Sequence, residues 1–312
     1  MSGDLVVLVN PTARGGRSRR LVDPVVRRLR DGGRDVRVIV GASAEDALRQ
    51  ARTAVAEGPD ALVAFGGDGL VHLAVQAVAG TGVPLGIVPA GTGNDIAAAL
   101  GIPGDPLAAA AVVTGAGTDG ATGTAVRRVD AARISGERWF AGVVACGFDS
   151  RVNERANGIA WPPGMAKYLL ALAQELRSFT PIPFRIVLDS DAGVEVIERE
   201  AMLVAVANTR SYGAGMRVCP DAQPDDGLLD VLVLGAVPKV EFLRTFPKVY
   251  RGGHVGHPAV TIRRATRVTL EAAEPAAGVV AYADGERVGP IPMTCAVEPG
   301  ALRVLVPGDS PV

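Results

Sequence analysis

Two short stretches carry the residue types of a phosphate site: Phe65-Gly66-Gly67-Asp68-Gly69 and Pro89-Ala90-Gly91-Thr92-Gly93-Asn94-Asp95. Each follows a short apolar run, 61–64 and 85–88, and each leads into a helical pattern. Glycine at a strand end lets backbone N–H groups come close to a phosphate. A following helix N-terminus adds the positive end of its dipole. Asp68 and Asp95 suit Mg²⁺, which takes oxygen ligands. Two such loops on adjacent strands predict a crevice for a nucleoside triphosphate. No Gly-x4-Gly-Lys-Ser/Thr element occurs, so the site is not of the Walker type.

The elements around these loops alternate. Strands are predicted at 5–9, 35–40, 61–65 and 85–88, and helices at 18–30, 43–57, 71–78 and 95–100. Ser43 reads as a helix cap, with Asp46 at the capping-box position. Strand–helix alternation argues for a parallel sheet, whose ligands bind beyond the carboxyl ends of the strands. Both glycine loops lie there. After the segment 115–120 the pattern changes to short strand-like runs at 129–134, 139–144, 184–188, 201–207, 229–234, 260–262, 268–270, 279–283 and 302–306. One helix is predicted at 165–177. Many short strands with turn signals imply a β-sandwich. The expected domains are an α/β nucleotide domain at 1–128, joined by a last strand in 300–312, and a β-sandwich domain at 129–299.

Composition agrees with two domains: 312 residues, 48% of them hydrophobic. With 32 basic and 33 acidic residues, no nucleic-acid partner is implied. Cys146, Cys219 and Cys295 form no zinc or redox spacing and read as core residues of a reducing compartment. His72, His254 and His257 show no metal-ligand spacing and also read as structural. No leader is apparent, and no apolar run approaches the roughly 18 residues of a membrane span. A cytoplasmic protein, peripheral to the inner membrane face, is expected.

An ordered set of motifs resembles the diacylglycerol kinase catalytic family, the bacterial lipid-kinase and sphingosine-kinase-like group. It runs from Val9-Asn10-Pro11-Thr12 through both glycine loops, Val129-Asp130, Cys146-Gly147-Phe148-Asp149 and Cys219-Pro220-Asp221-Ala222. It continues with Asp225-Asp226-Gly227-Leu228, Arg251-Gly252-Gly253-His254, His257-Pro258 and Asp284-Gly285-Glu286. The resemblance implies a Rossmann-like three-layer α/β domain, a β-sandwich domain and an active site in the cleft between them. It also implies that the final strand, 302–306, returns to the first domain.

The same resemblance implies roles for named residues. Asp68 would organise Mg²⁺ and ATP, with Gly66, Gly67, Gly69, Gly91, Thr92, Gly93 and Asn94 close to the phosphates and Asn10 in contact with the nucleotide. Asp95 would support the metal or cap the next helix. Arg14 and Arg17 are the available cations, and an inserted glycine leaves the choice between them open. Asp284 would be the general base, orienting the acceptor hydroxyl and collecting its proton late, with Glu286 beside it. The segment Asp284-Gly285 equally fits a hairpin turn. A second, structural Mg²⁺ is implied at Asp221 and Asp226 with the carbonyl of Leu228. The family contains homodimers. One departure stands out: Leu70 replaces the usual Thr after Gly-Gly-Asp-Gly.

The acceptor side is less defined. The stretch 159–165 and Tyr168-Leu169-Leu170 present apolar residues suited to a lipid–water interface, or to a core. The first reading is an ATP-dependent lipid kinase, with diacylglycerol as acceptor. Two others are carried: a soluble-substrate kinase of the NAD-kinase type, and a non-catalytic lipid- or nucleotide-binding regulator, motivated by Leu70.

Overall fold

The computed structural model describes residues 4–9, 19–115, 123–162, 165–272 and 278–308. Strands β1 (Asp4–Val9), β2 (Asp35–Val40), β3 (Ala61–Gly66) and β4 (Leu85–Pro89) are parallel, in the order β2-β1-β3-β4. Every residue of β3 and β4 is buried. A parallel sheet covered on both faces calls for such continuous apolar runs. The covering helices are α1 (Arg19–Asp31), α2 (Ala44–Ala56), α3 (Asp68–Val78) and, after the short α4 (Asp95–Ala99), α5 (Pro106–Thr114). Helix α1 packs with α5 and α2 with α3, giving the three layers. Ser43 caps α2 by accepting from Asp46 N–H, but Asp46 bonds Ala42 N–H instead of closing the capping box on Ser43.

The second half is built from β5 (Thr124–Ile134), β6 (Arg138–Phe140), β7 (Val143–Gly147), β8 (Ile182–Ser190), β9 (Gly193–Ala207), β10 (Leu229–Gly235), β11 (Val260–Ala265), β12 (Arg267–Ala272), β13 (Val280–Ala283), β14 (Glu286–Pro290) and β15 (Met293–Pro307). Strand β9 pairs with β8 over 193–201 and then lies between β7 and β10 over 203–207. The sheet thereby folds over a second core that includes Phe140, Phe184, Ile186, Leu229 and Val268. Helices α6 (Phe148–Asn157), α7 (Met165–Ser178) and α8 (Lys239–Thr245), with a 3-10 helix over Phe246–Arg251, complete this half. The run predicted as one strand at 139–144 is two strands. Ala141 and Gly142 leave the ladder because their N–H groups donate to the Asp284 carboxylate.

The two halves are joined by the pair β5–β15. Val129 and Ala131 of β5 face the first core and Ala132 and Ile134 the second. Strand β15 likewise passes from Met293 and Cys295 in the second core to Leu302 and Val304 in the first. Val304 then pairs in parallel with Leu85, so the chain does return to the first sheet. Between these stretches β15 bulges over Glu298–Leu302, and Asp130, only 2% exposed, holds the bulge. Its carboxylate accepts from Gly300 N–H and Gly227 N–H, both at 2.7 Å. Burial, and next the nearby carboxylates of Asp226 and Asp225, raise the pKa of Asp130, while the two amides oppose the shift. All three cysteines are buried free thiols, as expected for core residues.

Removing the Asp130 carboxylate leaves two amides without their partner. Asp130→Ala is expected to cost roughly 2–4 kcal/mol of stability, read as a lower urea midpoint.

Candidate active site

The two glycine loops lie side by side. A Cβ on Gly91 would fall 2.5 Å from the Cα of Gly67, so backbone packs on backbone there. A Cβ on Gly93 would fall 2.7 Å from Asp68 Oδ2 and 3.1 Å from Asp95 Oδ2. These glycines therefore make room for each other and for two carboxylates, besides any phosphate. Asn94 adopts a left-handed conformation, φ 56°. Its side chain closes the second loop on itself, accepting from Gly91 N–H at 2.9 Å and donating to the Gly91 carbonyl at 3.0 Å. Thr92 is exposed at the crevice.

Asp68 stands at the first turn of α3 and accepts from Asn94 N–H at 2.7 Å and Ile96 N–H at 3.4 Å. It, not Asp95, satisfies the start of α4. Burial raises the pKa of Asp68, Asp95 adds to the shift, and Asp284 contributes less. The two amides pull it down. Crowded carboxylates of this kind suit a divalent cation, which would offset their repulsion. Asp95 instead reaches the other half of the molecule: its oxygens accept from Ala214 N–H at 2.8 Å and Gly215 N–H at 2.7 Å. Neither the metal role nor the helix-cap role foreseen for Asp95 describes this bond.

Asp284 and Gly285 form the two-residue turn between β13 and β14, with φ 51° and 87°. The hairpin-turn reading of this pair is met. The Asp284 side chain is wholly buried. Oδ1 accepts from Gly142 N–H at 2.8 Å and Val143 N–H at 3.1 Å, and Oδ2 from Ala141 N–H at 3.2 Å. His72 Nδ1 lies 3.0 Å from Oδ2. The histidine read as structural is thus a neighbour of the expected base. The available signal was its spacing, four residues and one helical turn after Asp68. Glu286 is exposed, with its carboxylate over Gly69 at the start of α3.

Asp68, Thr92, Asp95 and Asp284 line one end of a cavity of about 400 Å³. The rest of its wall is largely apolar, including Phe148, Leu172, Met216, Phe242, Phe246 and Tyr250. Tyr168 and Leu169 of the expected mouth also line it, and Trp161 is 81% exposed. Phe242, Phe246 and Tyr250 were not recognised from sequence, although their spacing of four is helical. Asp149, whose segment was noted only as a motif, also faces the cavity and accepts from Tyr212 O–H at 2.8 Å. Burial pushes its pKa up to about 6.

Other expected residues stand apart. Asn10, Arg14 and Arg17 fall outside the described residues. Asp226 is ion-paired with Arg264 and accepts from Leu228 N–H at 3.0 Å. Asp225 pairs with Arg127 at 2.6 Å, and Asp221 is exposed. Among the described residues, no three His, Cys, Asp or Glu side chains converge as metal ligands. Leu70 is buried in the first core and packs over Gly66, so its side chain does not enter the crevice.

A carboxylate crevice fed by two glycine loops and opening into an apolar cavity has the parts of a phosphoryl-transfer site for an amphipathic acceptor. Comparison with known proteins agrees. Residues 4–126 match the diacylglycerol kinase catalytic domain, and residues 142–306 match the YegS C-terminal NAD kinase beta sandwich-like domain. A diacylglycerol kinase of Mycobacterium tuberculosis (strain CDC 1551 / Oshkosh) is 42% identical over 310 residues, covering 98% of this chain and 96% of that protein. A protein of Pseudomonas aeruginosa named "Probable lipid kinase YegS-like" is 33% identical, covering 100% and 97%. A crystal structure of a diacylglycerol kinase from Bacillus anthracis str. Sterne superposes with a TM-score of 0.73 at 22% identity, covering 99% of this chain and 98% of that one; it shares the fold. The chain belongs to the diacylglycerol kinase family and is an enzyme of the lipid-kinase class.

The buried Asp149 gives a pH signature. Its folded pKa is raised, so the folded state binds a proton that the unfolded chain has released between pH 4 and 6. Its destabilising effect is absent below about pH 4 and complete above about pH 6. Asp149→Asn is therefore expected to match wild type near pH 4 and to exceed it by roughly 2–3 kcal/mol above pH 6, read by thermal unfolding across that range.

Proposed function

We propose that the protein transfers the γ-phosphate of ATP to the free hydroxyl of a lipid, with diacylglycerol as the first acceptor. The observation that carries this reading is the cavity: apolar along most of its wall, and ending at Asp284 and Asp68. An acyl chain fits the apolar wall, which leaves the glycerol hydroxyl at the carboxylate end. There the wholly buried Asp284 carboxylate must first open to the cavity; it then orients the hydroxyl and collects its proton late in a loose transition state. The nucleotide phosphates belong to the glycine-loop side, with Thr92 at the crevice and Asn10 and Arg14 or Arg17 as further contacts. Mg²⁺ bound with the nucleotide at Asp68 would neutralise charge developing on the phosphates. Glu286, over the first turn of α3, is on the rim of the same crevice.

The working surface is the membrane. No described helix is long and apolar enough to cross one. Leu169, which lines the cavity, is 61% exposed, and Val240 and Leu243 on α8, the helix that gives Phe242 to the cavity wall, are 60% and 51% exposed; Trp161, just before α7, is 81% exposed. Such exposed apolar residues suit contact with the lipid headgroup boundary from the cytoplasmic side. A second Mg²⁺ at Asp221, Asp226 and the Leu228 carbonyl would require Arg264 to release Asp226. The regulator reading rested on Leu70; its burial in the core leaves the crevice intact.

The test is transfer of label from γ-labelled ATP to diacylglycerol in mixed micelles with Mg²⁺. Wild type is expected to make labelled phosphatidic acid. Asp284→Asn should lower turnover by ~10²–10⁴-fold while keeping ATP binding. Asp68→Ala should weaken Mg²⁺-dependent ATP binding. ATP binding without transfer to any lipid would overturn the proposal.

A further inference from the structure

Among the described residues, Asp284 receives four hydrogen bonds, and they come from two places. Ala141, Gly142 and Val143 donate from the strand connection beside it in its own half of the molecule. Among the described residues, the one donor from the nucleotide half is His72, on α3. Helix α3 begins at Asp68, so one helical turn separates the phosphate-side carboxylate from the group that touches the acceptor-side carboxylate.

His72 is braced by Gln76, the next turn along. Gln76 Oε1 accepts from Trp139 N–H at 2.9 Å, and its Nε2 donates to the Trp139 carbonyl at 2.7 Å. A backbone amide only donates and a carbonyl only accepts, so this pair fixes which end of the Gln76 amide is which. The nitrogen end then donates its second proton toward His72, with the backbone carbonyl at 3.2 Å and ring Nε2 at 3.4 Å. The tautomer is set at the other ring nitrogen: a carboxylate oxygen only accepts, and with Asp284 Oδ2 at 3.0 Å from Nδ1 the proton sits on Nδ1. The Nδ1–H therefore points at Asp284 Oδ2. The imidazole is largely shielded, its side chain 12% exposed.

We propose that His72 is a positioning residue for the transfer reaction, setting Asp284 relative to Asp68 through an Nδ1–H donor braced by Gln76. This rests on the lipid-kinase reading for the role of Asp284. The Asp284 carboxylate could be held in its own half by the three amides alone. What the histidine adds is register across the crevice, where the hydroxyl oxygen and the γ-phosphorus must be brought into line. A misplacement of 1 Å at such a point costs on the order of 10²-fold in rate.

The test compares His72→Ala, His72→Phe, His72→Gln and His72→Asn. Ala and Phe are expected to lower kcat by ~10–100-fold, with KM for ATP and for the acceptor within about 3-fold of wild type. Asn, whose Nδ2–H can stand where Nδ1–H stands, is expected to recover most of that loss; Gln, one carbon longer, is not. A purely structural histidine would show no recovery with Asn and would lose activity in step with thermal stability. Wild-type kcat in both Ala and Phe, or an Asn variant as slow as Ala, would overturn the proposal. A second readout needs no turnover. With only three histidines in the chain, the imidazole ¹⁵N resonances of His72 can be assigned by their loss in His72→Asn. They are expected to report a proton on Nδ1, and an Nδ1 without a proton would overturn the proposal. If wild type phosphorylates no lipid, the kinase reading fails while this measurement still decides the His72 geometry.

Discussion

Backbone amides holding buried and half-buried carboxylates are the constraint on which the site depends. Asp68 takes Asn94 and Ile96 N–H from the second glycine loop, Asp95 takes Ala214 and Gly215 N–H from the other half, and Asp284 takes three amides of the 141–143 segment. Each bond ties two segments distant in sequence, so the three acids fix the crevice at its first loop, second loop and far wall. A charge-assisted bond to an amide is stronger and shorter than a neutral one. It also satisfies amides that turns and short helices would otherwise leave without partners. The arrangement has a cost, since burial and mutual repulsion raise the pKa of Asp68. A site that must bind a cation can tolerate that repulsion, because the ligand relieves it.

The same economy holds at the joint between the halves. Strands β5 and β15 pass through both cores, and Asp130 pins the bulge that lets β15 change direction. The turn 212–216 is held from two sides, by Asp95 from the nucleotide half and by the Asp149–Tyr212 bond inside the cavity wall. Phosphoryl transfer gains from such rigidity, because its rate rests on alignment more than on covalent help from the protein.

Much of this was legible in the sequence. The first four strands and their helices lie within a few residues of the apolar periodicity: β1, β3 and β4 are buried on both faces and leave unbroken apolar runs, while the edge strand β2 alternates. The glycine loops and the Asp284-Gly285 turn were visible for the same local reason, their backbone demands. What was not legible depends on distant partners. The break between β6 and β7 exists because Ala141 and Gly142 N–H turn to Asp284. Asp95 serves a turn 119 residues away. Helix α6 has a polar composition, and helix α8 with its 3-10 extension is short, yet together they supply Phe148, Phe242 and Phe246 to the cavity. His72 gains its meaning only when α3 is packed against β6, which brings Trp139 to Gln76 and Asp284 within reach.

The central claim is that one cavity joins the lipid acceptor to the carboxylate crevice. Photocrosslinking tests it most directly, with a diacylglycerol carrying a photoactivatable acyl chain and the labelled peptides identified by mass spectrometry. Label on Leu172, Phe242, Phe246 or Tyr250, removed by competing unlabelled diacylglycerol, is the result this account predicts. Label confined to the surface of the nucleotide half, with those four residues unmodified, would contradict it.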